Sequence, residues 1–578
     1  MTSQLFIDGF HILLTFWKEL FILCLSGMGL GTLIAHFFFR KKQQTSIEII
    51  LVFTGFSIIG ILMIALKYFG IFRFSLVASI FGLGMLSFLI WFKDLYTKYG
   101  IKRILYYSWL PSILFLFFLI IRLGFIESLL LPPYSDSPIH YSIIQTSLSP
   151  DTGSLHMSKI INHYYHLGFH GIVAWVSILS DNSTPIIIAL IGQFFLALLP
   201  ISVYLWVYSF SNSLLMAFIS AILAGFGWNM PSYATNWGKY PTLVGIALLP
   251  LFFGVLQFSI REKNKKTYLL SLLIAISLIW IHSRIALLIL FFLLAYRISS
   301  FSEKKGIVED SLWIISLFSL IIVTQSLLNI WVPNEYFRFY EETFSGASYL
   351  VLLLLAFAFL KHSKNSLFFF LWLSFILLGT IISIPYTPSI KMIDRPFFEA
   401  VFFLPLAALG GLGAKGLSDF FDKKGTDLII ATTYAFLLFL NAMLFLSYTP
   451  ADISNYVEED DLFAIHWVND YLPIKAEIVI AGEKHLNNWI TTDAGGWINI
   501  LTKREIYKLP YDFNWQSSQK VQALCQNLEN VFSHFVYVGS TTQKHFDFSN
   551  AYNSAWIEST LYLPDAQIYQ LNCQFEEK

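Results

Sequence analysis

Charge is scarce in this sequence. Asp, Glu, Lys and Arg make up only 13% of its 578 residues, against the ~25% typical of soluble domains. Acids and bases balance at 37 each, and no basic block runs along the chain, which argues against a nucleic-acid surface. Cysteine is rarer still: Cys24, Cys525 and Cys573, with no CxxC and no Cys/His spacing of a zinc site. The opening stretch MTSQLFIDGFHILLTFWKEL lacks the basic n-region and small-residue cleavage site of a secretory signal, so it is expected to be retained. What fills the chain is apolar: 56% is hydrophobic and Phe occurs 57 times. A soluble core cannot absorb that much apolar surface, which implies a lipid-facing protein.

Apolar runs of helical length recur at 20–39, 47–66, 73–92, 104–125, 185–208, 212–228, 241–259, 267–282, 284–298, 311–331, 347–361, 365–384, 397–416 and 427–447. Each is near the ~20 residues a span needs, so the expected fold class is an α-helical polytopic membrane protein of about fourteen transmembrane helices. Runs this continuous exclude a barrel. Alternate connections are short and basic, among them Arg40 to Lys42, Lys93 to Arg103, Arg261 to Lys266 and Lys415 to Lys424; they are assigned to the cytoplasm. The other connections, 126–184, 229–240, 332–346 and 385–396, then face outward. This register requires residues 166–179 to form a short helix lying at the membrane surface.

The tail is of different composition. DLFAIHWVNDYL and SQKVQALCQNLENVF read as helices, and AEIVIAG and HFVYVGS as short buried strands, giving a small α/β domain on the outer side. The expected organisation is therefore N-terminal helices over 1–103, a transmembrane core over 104–449 with its first large outer loop at 126–184, and an extracytoplasmic domain over 450–578. Cys525 and Cys573 both fall in that domain and pair if its compartment is oxidising.

The polar residues that need explaining lie on the outward connections. They include Asp136, His140, Asp151, His163, His166 and His170 in the first loop, Lys239 and Tyr240 in the next, His282 and Arg284 in the turn IHSR, and Asp394 and Arg395 in MIDRPFFE. Ionisable groups near membrane depth are costly, so each is a functional candidate. A lipid-phosphate-linked sugar needs its phosphate held by Arg or Lys, for which Arg395, Arg284 and Lys239 are the candidates. An acceptor hydroxyl needs a general base, and Asp136, just past a helix in SDSPIH, is the best placed. His140, Asp151, His163, His166, Tyr240, His282 and Asp394 would line the substrate pocket. His163, His166 and His170 stand at i, i+3 and i+7, a spacing that suits either a divalent metal ion or a pocket lining, and both stay open. Plainer roles compete. Asp136 could cap a surface helix, Lys239 and Tyr240 could anchor the interface, and the two arginines could pair with Asp394 or Glu399.

The layout over about 104–450 resembles the GT-C superfamily of membrane glycosyltransferases. The resemblance implies an inverting enzyme using a polyprenyl-phosphate sugar donor, with Asp136 as catalytic base or metal-proximal group and Arg284 and Arg395 as phosphate-binding cations. The acceptor would be a glycan, lipid or protein. NWGKYPTLVG and DLFAIHWVN…TTDAGGW resemble uncharacterised prokaryotic membrane proteins near this superfamily, which implies a prokaryotic plasma membrane. No WWDYG-type motif is present, which disfavours an oligosaccharyltransferase of protein N-glycosylation. The competing class is a multi-pass transporter or lipid flippase, for which paired broken helices and midplane charges are expected.

Overall fold

In lipid an apolar segment must satisfy its backbone internally, and among the described residues helices form where the apolar runs occur. The computed structural model describes residues 2–38, 45–149, 166–263, 265–302, 347–383, 395–421, 425–442, 448–452, 454–485, 488–528, 533–545 and 556–573. The first helices are α1 (Thr2–Thr15), α2 (Trp17–Phe38), α3 (Thr45–Tyr68), α4 (Phe74–Leu123), α5 (Asp136–Leu148) and α6 (Gly168–Ser180). Then come α7 (Ile186–Ser211), α8 (Leu214–Phe226), α9 (Tyr240–Glu262), α10 (Lys265–Ile281) and α11 (Ile285–Ser302). The set closes with α12 (Ser348–Ser383), α13 (Arg395–Val401), α14 (Phe403–Phe421) and α15 (Thr426–Ala442).

Eight helices among the described residues are long and apolar enough to cross a membrane, against about fourteen expected. Helices α8 and α10, at 13 and 17 residues, fall short of a full span, and the run 311–331 lies outside the described residues. Two expected pairs are continuous helices with one break each. α4 is interrupted at Gly100 (φ 69°, ψ 158°), a conformation open to glycine, and α12 at His362. Large apolar side chains such as Leu83, Leu86, Leu89 and Leu353 are exposed, as a bilayer-facing surface requires.

Helix α6 departs from expectation. It does not lie at a surface: every residue from Gly168 to Ser177 is buried. It is apolar on all sides, and such a helix is stable only when enclosed. Glycine permits the enclosure. A Cβ on Gly60 of α3 would stand 2.1 Å from the Gly168 carbonyl oxygen, and one on Gly171 would stand 2.5 Å from that of Gly60. The backbones of α3 and α6 therefore touch, the close approach that small residues allow between membrane helices. Around this contact α7 is buried from Ile187 to Val207 and α9 from Tyr240 to Leu256.

The C-terminal part is a six-stranded mixed sheet in the order β2-β1-β4-β6-β5, with β3 also pairing β1. The strands are β1 (Glu477–His485), β2 (Asn488–Thr491), β3 (Glu505–Pro510), β4 (His534–Val538), β5 (Ile557–Tyr562) and β6 (Gln567–Leu571). β1 runs parallel to β3 and β4, and β6 antiparallel to β4 and β5. Alternation along β1 sends Ile478 and Ile480 to one face and Val479 and Ala481 to the other. The first face packs under α16 (Glu459–Tyr471) and the second under α17 (Ser518–Asn527). Two buried carboxylates fasten the loops between them. Asp461 of α16 accepts from Tyr537 Oη (2.6 Å) and the Ser540 amide (3.0 Å). Asp493 of TTDAGGW accepts from the Gly495 amide (2.9 Å) and Thr542 Oγ1 (2.7 Å). Cys525 and Cys573 form a disulfide.

The sheet unit docks on the helical part through α5. Leu131 belongs to the core under α16, and the rings of Tyr141 and Trp497 lie 5.9 Å apart. The Tyr134 amide donates to the Ser454 carbonyl (2.9 Å), and the Ala451 amide to Asn236 Oδ1 (2.8 Å).

The α3–α6 contact yields a direct test. Gly60→Val should cost roughly 1–3 kcal/mol or more through overpacking and lower the melting temperature of the purified protein. Gly82→Ala, with nothing within 4 Å of its added Cβ, should melt like the wild type.

Candidate functional site

Asp136 opens α5 but does not cap it. The N-cap is Ser135, which makes no side-chain cap bond, and the Asp136 carboxylate turns to another helix. Its Oδ2 accepts from Lys239 Nζ at 2.5 Å, with both side chains partly exposed. Lys239 stands at the N-terminus of α9, presented by a short 3-10 turn (Ser232–Trp237) and by Gly238 at φ 62°. Glycine suits this position on two counts. Its φ is positive, and an added Cβ would sit 3.2 Å from both Asp136 Cβ and Ser137 Oγ.

One turn after Asp136, His140 ties three elements together. Its Nε2–H donates to the Gly238 carbonyl (3.1 Å), which leaves Nδ1 to accept from Nε2–H of His170 (2.9 Å). His170 projects from buried α6, so α5, α6 and the turn before α9 meet at one imidazole. Tyr240 stacks on Phe169 at 5.9 Å and faces His140 at 6.3 Å. His166 and His282 form a second pair, with rings 4.8 Å apart. His282 in turn stacks on Phe397 of α13 (5.6 Å), over which the Arg284 guanidinium lies at 5.5 Å. The result is a row: Asp136 and Lys239, then the imidazole pairs, then Phe397 and Arg284. Burial pushes the His140 pKa down to about 4 and that of His166 to about 3; for His166 the neighbouring His140, Arg284 and Lys239 push the same way. Both rings are therefore neutral at physiological pH.

Of the residues expected at the site, Asp136, His140, His166, Lys239, Tyr240, His282 and Arg284 come together. Lys239, expected on a donor phosphate, holds Asp136 here. Asp151, His163 and Asp394 lie outside the described residues, as does the side chain of Arg395, whose backbone begins α13. Among the described residues no three His, Cys, Asp or Glu are grouped to hold a metal ion. Phe397 completes the row with no expectation attached to it. His170, expected with His163 and His166 either on a metal ion or in a pocket lining, meets His140.

Asp136 also borders a cleft of about 1250 Å³ between α5 and the C-terminal sheet, faced by Trp489, Thr491, Tyr507 and Lys508. Arg284 does not line it.

A family model spanning residues 54–385, more than half the chain, matches this sequence. The chain belongs to the DUF6541 family. That family is one of unknown function, and no curated protein matches the chain. The DUF6541 segment contains Asp136, Lys239, Arg284 and all four histidines of the row, while Phe397 and the sheet wall of the cleft fall beyond it.

Neutral imidazoles make the DUF6541 fold acid-sensitive. Between their ordinary value near 6.5 and the lowered values of about 4 and about 3, the unfolded chain takes up protons that the folded chain refuses. Stability is thus fully present above pH ~6.5 and lost as pH falls through ~4. Melting curves across pH 4–7 should show this slope, and His140→Gln should reduce it.

Proposed function

We propose that this protein is a membrane glycosyltransferase of GT-C type that moves a sugar from a polyprenyl-phosphate donor to an acceptor hydroxyl at the outer face of the membrane. The observation that carries this reading is the placement of Asp136: a carboxylate steered by Lys239, on the rim of a cleft walled by a second structural unit. The acceptor hydroxyl enters from the cleft and attacks the anomeric carbon, and Asp136 takes its proton. The bond from that carbon to the phosphate oxygen breaks, and the electron pair leaves with the polyprenyl phosphate. Attack from the face opposite the leaving group inverts the anomeric centre. The sugar passes through an oxocarbenium-like state. Charge developing on the leaving phosphate is met by Arg284 and Arg395, with Lys239 within the same row.

In this reading about fourteen helices cross the bilayer of a prokaryotic plasma membrane, and the C-terminal sheet is extracytoplasmic. The disulfide between Cys525 and Cys573 supports that side, because disulfides persist in oxidising compartments. A transporter or flippase is the second reading. The buried imidazole row is the feature it would use, as a relay for protons.

Protein in nanodiscs, given a panel of labelled polyprenyl-phosphate sugars, should transfer or hydrolyse sugar. Asp136→Asn should lower the rate by at least ~100-fold, the size of a lost general base, with an unchanged melting temperature. Wild-type rates in that variant would remove Asp136 as base. Movement of the lipid-linked sugar across the bilayer without transfer would favour the second reading.

A further inference from the structure

The cleft beside Asp136 has two chemically distinct walls. The α5 wall offers Asp136 and Ser142; the sheet wall offers Trp489, Thr491, Tyr507 and Lys508. Its volume of about 1250 Å³ exceeds the ~300–1,000 Å³ of ordinary small-molecule sites, so it suits an extended ligand. Trp489 is half-buried, and its pairing with Lys484 puts its ring on the sheet face of Ile478 and Ile480, the face toward α5. A half-buried ring with a wet polar edge suits a ligand that has both apolar faces and hydroxyls, as sugar rings do.

Charge narrows the ligand further. Asp136 is the one carboxylate among the described residues lining the cleft, and Lys239 already holds it. Lys508 Nζ donates to the Trp489 carbonyl at 3.1 Å. Among the described residues no carboxylate lies within ion-pair distance of Lys508. The lining therefore presents a partly desolvated cation next to an aromatic platform, with its charge uncompensated. Burial alone lowers the Lys508 pKa, the sign of an ammonium short of both water and counter-ion, and an arriving anion relieves both deficits.

We propose that this cleft binds an anionic carbohydrate, a chain of sugar or polyol units bearing carboxylate or phosphate groups, with Trp489 stacking on a unit and Lys508 taking the anion. Its role as the acceptor whose hydroxyl faces Asp136 rests on the transferase reading; the binding itself does not.

The test is calorimetric titration of the full-length protein in nanodiscs with three probes: a linear tetra-uronate, the neutral tetrasaccharide of the same linkage, and a four-unit oligo(glycerol phosphate). At least one anionic probe should bind roughly tenfold tighter than the neutral one, the size of one charge-assisted contact. Preference for the uronate identifies a carboxylate sugar, and preference for the other a phosphate polymer. Lys508→Met should erase the preference and Lys508→Arg should keep it. Trp489→Ala should weaken every probe. Failure of all three probes to bind, or a preference that survives Lys508→Met, overturns the inference. Asp136→Asn separates it from the transferase reading. Lost transfer without probe binding removes only this inference. Retained transfer with probe binding removes Asp136 as base and leaves the binding site.

Discussion

Helix α6 can sink into the bundle because glycine removes the side chains that would stop it. With Gly60 and Gly171 at the crossing, two backbones meet where a Cβ on either would collide, and the site depends on that contact. It sets the level at which Phe169 and His170 stand beneath α5. From there His170 reaches His140, His140 reaches the Gly238 carbonyl, and the turn that ends at Gly238 delivers Lys239 to Asp136. A bulkier residue at the crossing would lift α6, and the imidazole contact at 2.9 Å would be the first to break.

The row also solves an electrostatic problem. Lys239 and Arg284 stand at its two ends, and protonated imidazoles between them would crowd like charges into a poorly solvated space. Burial keeps the rings neutral. Neutral imidazoles still donate and accept, so they join the helices by hydrogen bonds without adding charge. The net effect is a lysine–carboxylate pair at one end of the row and a guanidinium at the other, joined by rings that add no charge.

Much of this was legible in the sequence. Apart from α1, which no expected run covers, apolar runs located the long helices among the described residues to within a few residues, because in lipid only a helix satisfies such a run. Of the polar residues expected at the site, Asp136, His140, His166, Lys239, Tyr240, His282 and Arg284 do come together. What escaped was set by distance along the chain. Asp136 and Lys239 are 103 residues apart, and no periodicity links them, so their pairing is not readable from either stretch. Residues 166–179 were placed at a surface by counting charges, whereas the all-round apolarity of GIVAWVSIL was the signal of burial. In the C-terminal unit β1 and β4, continuous and apolar, were readable. β2, β3, β5 and β6 carry polar residues such as Asn488, Lys508, Glu558 and Gln570 and become strands through pairing with their neighbours.

The two walls of the cleft differ in origin. The wall that carries Asp136 and its support lies within the DUF6541 segment, which ends at residue 385, and the wall of Trp489, Tyr507 and Lys508 lies on strands beyond it. They meet through a compact interface, Tyr134 against Tyr456 and Tyr141 against Trp497, that leaves the floor of the cleft open. Such a division lets one wall keep its reacting groups while the other changes what it seats. Loops and edge strands accept substitution more readily than a glycine-locked helix crossing. If the chemistry is group transfer at Asp136, the choice of acceptor then belongs to the sheet, and a change of acceptor needs no change in the helical row.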